Sequence, residues 1–152
     1  MAQLDQLIAD LKKHQTRVDT SIDRSTLLLA AVEFSNLSPR ITDLSTSISY
    51  LVIYGNLQAV YDKTVSVKQD LQASIQQTEQ DPLLLAQKNR GLDEVQRNLD
   101  QVNLTLVKIR AELNPQNPEA ASLNSTTIFG DFSTVYGGLS RSESYLQELV
   151  KN

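Results

Sequence analysis

His14 is the only histidine in the sequence, and cysteine is absent. A Ser-His-Asp triad would have to be built on His14, and a zinc site would need carboxylates where further histidines or thiolates usually stand. Di-iron bundles take a Glu-x-x-His pair from each of two helices, which one histidine cannot supply. His14 stands between Lys13 and Gln15, beside an apolar stripe, and reads as a histidine on a helix flank. Asp19 and Asp23 have the spacing to share a helical face and hold a hard cation. Two carboxylates without further oxygen ligands make a weak site, so a solvated face is the better reading. Tyr136, Gly137, Gly138 and Leu139 form a glycine pair without the lysine or the preceding strand of a phosphate loop. No catalytic residue, metal site or cofactor is expected from these patterns.

Tyr50, Tyr54 and Tyr61 are more suggestive. Their spacing places all three within about 40° on one helical face. Tyrosine combines a large apolar area with a polar tip, so the three form a candidate interaction surface. The plainer alternative is an interior face between helices, because later core residues of the same segment share it.

The elements that would carry these side chains follow from apolar spacing. Leu85, Lys88, Leu92, Val95, Leu99, Val102, Leu106, Ile109 and Leu113 recur at alternating steps of three and four, with Lys88 the only polar member. Such a seam stays on one narrow stripe of a helix and must be covered by another helix. All four prolines follow Ser, Asp or Asn. That dipeptide suits a helix start, since the oxygen caps and the proline has no N–H to leave unpaired. It also disfavours helix in the residue before the proline.

Starts are therefore expected at Pro39 and Pro82, with a break across residues 114–117. The predicted helices are 3–34, 39–79, 82–113 and 128–150, with a polar connection at 114–127. Leu4, Ile8, Leu11, Val18, Ile22, Leu29 and Val32 would form the seam of the first. In the second, the early apolar face (Ile41, Leu44, Ile48, Leu51 and Val52) and the late one (Leu57, Val60, Tyr61, Val67, Leu71 and Ile75) lie about 170° apart. Residues 50–55 mark the switch, with Leu51 expected to be critical for the fold and Tyr54 to lie nearer an assembly surface. One glycine costs only about 1 kcal/mol, so this helix is expected to continue through Gly55. The last segment spaces Ile128, Phe132, Val135, Leu139, Leu146 and Leu149 as another heptad series, though Gly130, Gly137 and Gly138 weaken the prediction for its first half.

Composition narrows the class. The sequence is 40% hydrophobic and 21% charged, too apolar for a disordered acidic chain. Its net charge is −4 and its basic residues are scattered, which disfavours nucleic acid, because phosphate binding needs clustered cations. The longest apolar runs, residues 27–32 and 50–54, fall far short of the roughly 20 residues that span a bilayer. No signal peptide is visible, so a cytoplasmic protein without membrane attachment is expected.

The expected fold is all-α: one domain over 1–152, an elongated antiparallel helical bundle or coiled coil of three long helices plus a shorter C-terminal one. The expected function is non-enzymatic: a structural subunit or adaptor that contacts other helical proteins or itself. A soluble chaperone for a helical client, of the export-chaperone kind, is the main alternative. A membrane-active amphipathic protein is the third, though its polar faces lack the usual lysine and arginine.

Overall fold

The computed structural model describes residues 2–114 and 125–151. They form four α-helices, α1 (Ala2–Asp19), α2 (Arg24–Thr78), α3 (Pro82–Glu112) and α4 (Ser125–Lys151), with no strand among them. The protein is all-α, as its spacing predicts. Most of the expected polar connection, residues 115–124, lies outside the described residues. Where the sequence suggests one domain, the contacts divide the chain into two compact units, Met1–Tyr50 and Leu51–Asn152, so that the division falls inside α2.

In the first unit the chain turns at residues 20–23, not at Ser38 and Pro39, and the two predicted helices 3–34 and 39–79 are corrected accordingly. The turn is built from small polar side chains. Thr20 Oγ1 and Ser21 Oγ donate to the carbonyls of Thr16 and Arg17 at 2.8 and 2.7 Å, satisfying acceptors that the end of α1 leaves open. Asp23 then caps α2: its Oδ1 accepts from the Thr26 N–H at 2.8 Å and from the Ser25 hydroxyl at 2.6 Å. Pro39 lies within α2. The expected seam of the first helix fails for the same reason. Leu29 and Val32 belong to a different helix from Leu4 and Ile8, all four are exposed, and Ile22 in the turn is 96% exposed.

Three contacts hold α1 antiparallel to the first half of α2. Arg40 donates to Asp10 at 2.7 Å, Arg17 pairs with Glu33, and the His14 and Phe34 rings stack with centroids 5.6 Å apart. Leu7, Ala30 and Leu37 are buried.

The cap of α2 carries a pH signature. The Ser25 hydroxyl, then the Thr26 N–H, hold the Asp23 carboxyl below its usual range. A folded-state value below the unfolded one, about 3.9, adds stability that is present above that pH and lost as pH falls through the folded value. Asp23→Ala should lower the thermal midpoint at pH 7, with the deficit shrinking towards pH 2. An equal deficit at both pH values would show that the carboxylate does not cap.

In the second unit α3 and α4 pack most closely. Asp81 caps α3 through the Leu83 N–H at 2.8 Å, and Pro82 occupies the first turn. From Leu92 to Ile109 the apolar members of the α3 seam are buried, and Ile128, Phe132, Val135, Leu139 and Leu146 of α4 are buried too. Ser142 fills the gap in that second series, fully buried, with its hydroxyl on the Gly138 carbonyl at 3.0 Å. Two glycines set the spacing. A Cβ on Gly138 would lie 2.5 Å from Val102 Cγ2, and one on Gly91 2.8 Å from Leu149 Cδ2. Both pairs fit one antiparallel register, as does the 2.7 Å ion pair between Lys108 and Asp131.

The late part of α2 runs antiparallel to α3, with Lys68 Nζ donating to Gln96 Oε1 at 2.9 Å. Lys88, the polar interruption of the α3 seam, reaches back to Glu79 Oε2 at 2.9 Å, and the Asp81 N–H donates to Glu79 Oε1 at 3.2 Å. These bonds hold the Glu79 carboxyl below its ordinary range, the Lys88 bond contributing most. They also tie down the turn between α2 and α3.

Candidate functional site

The side chains with chemical potential do not converge. His14 is largely buried between α1 and α2, stacked on Phe34, with Glu33 4.0 Å from its Nδ1. Asp19 ends α1 and Asp23 caps α2, so the two do not share a helical face. Gly137 and Gly138 lie inside α4, where one faces open space and the other faces Val102. No group of three or more metal-ligating side chains occurs among the described residues.

Tyr50, Tyr54 and Tyr61 all lie on α2, which continues through Gly55. Tyr50, the last residue of the first unit, is only 3% exposed. The half-buried Tyr54 donates from its hydroxyl to Gln58 Oε1 at 3.2 Å. Tyr61 is half-buried, and its hydroxyl is pushed above the ordinary tyrosine value by burial first, then by the carboxylates of Asp100 on α3 and Asp62. Lys68, seven residues further along the same face of α2, donates to Gln96 of α3, so within the second unit Tyr61 lies on the side turned towards α3. Leu51 is half exposed. The buried position at this junction is Tyr50, which corrects the expectation that Leu51 is the residue critical for the fold.

Within the second unit, some of the exposed apolar side chains lie beside the tyrosines, on a neighbouring flank of α2. Val60 and Val67 are 50% and 44% exposed. Across from them on α4, Tyr136 and Val150 are each 70% exposed, while Leu139 and Leu146 are buried. Together they line a groove of about 750 Å³ between α2 and α4. Because α2 and α4 are both antiparallel to α3, they run parallel to each other. On α2 the lining recurs at Leu57, Val60, Thr64 and Val67, and on α4 at Leu139, Glu143, Leu146 and Val150. Both series step by three and four, the spacing of a coiled-coil seam.

Sequence reasoning assigned Leu57, Val60 and Val67 to a covered face, and Leu139 and Leu146 to another. The series were visible; that they border one open groove depends on how the helices pair. No helix among the described residues is long and apolar enough to cross a membrane. Comparison with protein-family models, with curated proteins and with solved structures finds no match to this chain.

Proposed function

We propose that this chain is a non-enzymatic helical interaction protein, a structural subunit or adaptor that takes a partner helix into the groove between α2 and α4. The observation that carries this reading is the groove lining, in which the exposed Val60 and Val67 of α2 stand across from the exposed Tyr136 and Val150 of α4, with both walls stepping at coiled-coil spacing. Covering a fully exposed valine is worth about 1.5–3 kcal/mol and the half-exposed Val60 and Val67 roughly half of that each, so these contacts together with Tyr136 and Val150 support specific binding. The partner is another helical protein or a second copy, and the absence of cysteine suits the reducing cytoplasm in which we place it.

The test uses a partner recovered from the native source, then purified and recombined with the full chain. Val67→Asp should weaken that complex at least about tenfold, since a carboxylate buried against an apolar seam is costly. Its helical circular dichroism should not change, because Val67 is already half in solvent. Unchanged affinity would remove the groove from the interface.

The openness of the same groove also favours a second reading, a chaperone that holds a helical client. A complex of fixed stoichiometry that survives size-exclusion chromatography marks the adaptor. Suppressed client aggregation without a lasting complex marks the chaperone.

A further inference from the structure

The groove between α2 and α4 carries a charge pattern that narrows its occupant, given the reading of that groove as a helix-binding surface. Its charged lining residues are Lys63, Lys151 and Glu143. Glu143 accepts a hydrogen bond from Gln147 Nε2 at 3.2 Å. Neither lysine takes part in an ion pair among the described residues. The lining thus carries an excess of cations in a chain whose net charge is −4.

We propose that the occupant is an amphipathic helix of another protein, with apolar residues at heptad spacing and carboxylates flanking them opposite Lys63 and Lys151. Opposite charges at such flanking positions select partner and orientation in paired helices. The three-and-four spacing on both walls favours a helix over a lipid tail, which has no matching period. Residues 136–151 span about 24 Å of α4, room for four turns of a partner. A second copy of this chain fits less well. The longest run of exposed leucines on a second copy, Leu27 to Leu29, has Asp23 engaged as a cap and Glu33 paired with Arg17.

Two designed peptides of about 18 residues test this, sharing one leucine heptad seam and differing only in glutamate or lysine at the flanking positions. Each is titrated against the full chain by fluorescence anisotropy. The glutamate peptide should bind at least about tenfold more tightly, a difference of about 1.4 kcal/mol, and high salt should narrow that margin. Lys63→Glu combined with Lys151→Glu should reverse the order, and Val67→Asp should abolish binding of both peptides.

Equal affinities would overturn the acidic partner while leaving the groove as a helix site. Binding by neither peptide would overturn the groove reading as well. Binding that survives Val67→Asp would place the peptide elsewhere and overturn the proposal. A concentration-dependent dimer dispersed by Val67→Asp would assign the groove to a second copy, with the same consequence.

Discussion

Gly138→Ala should destabilise the protein by about 1–3 kcal/mol, the usual cost of forcing a methyl group into a filled core. Gly137→Ala, one residue earlier, should stabilise it by up to about 1 kcal/mol. Alanine is the better helix former at both positions, so propensity alone predicts a gain twice. What separates them is the neighbour. Nothing lies within 4 Å of a Cβ on Gly137, whereas one on Gly138 meets Val102 Cγ2 at 2.5 Å. Val102 is fully buried, and a β-branched side chain in a helix has one strongly preferred rotamer, so it cannot swing away. Gly91→Ala should fall between these outcomes. Its obstacle is the far end of the flexible, part-exposed Leu149 side chain. Urea denaturation of the three variants gives the order directly. Wild-type stability in Gly138→Ala would mean that α3 and α4 do not meet in this register.

The same glycines mark what the sequence could and could not tell. Three glycines in 27 residues cast doubt on the first half of α4, because each costs about 1 kcal/mol in an isolated helix. In the folded chain that cost is offset by packing, since Gly138 lets α4 approach α3 closely. The α3 seam was legible because every member but Lys88 is apolar, and its polar exception is explained by one ion pair with Glu79. The groove was half legible. Its two seams can be read from spacing, yet spacing alone does not say which flank of a helix a neighbour leaves bare. Val60 and Val67 look like core until the position of α4 is known. The tyrosines show the converse: Tyr54 and Tyr61 are both half-buried on one face of α2, and Lys68 on that same face bonds to Gln96 of α3.

The turn between α1 and α2 was misplaced because two capping signals compete and only one is used. Ser38 before Pro39 has the form of a helix start, as does Asp23 before Arg24, Ser25 and Thr26. Local chemistry favours the proline, but the turn forms at Asp23, where four backbone and side-chain groups close on that residue. It leaves Pro39 inside a 55-residue helix, where proline cannot donate to the carbonyl four residues back and its ring crowds that oxygen. Pro39→Ala should therefore stabilise the protein, by as much as about 3 kcal/mol less the unfolded-chain entropy that proline suppresses. The gain should be read from thermal or urea unfolding, together with amide hydrogen exchange at residues 35–43. Protection should rise there as the Ser35 carbonyl regains a partner. A helix beginning at Pro39 predicts the opposite, because proline in the first turn gives up no hydrogen bond and is already preorganised. Reduced stability in Pro39→Ala would restore the break at Ser38 and Pro39 and divide α2 there.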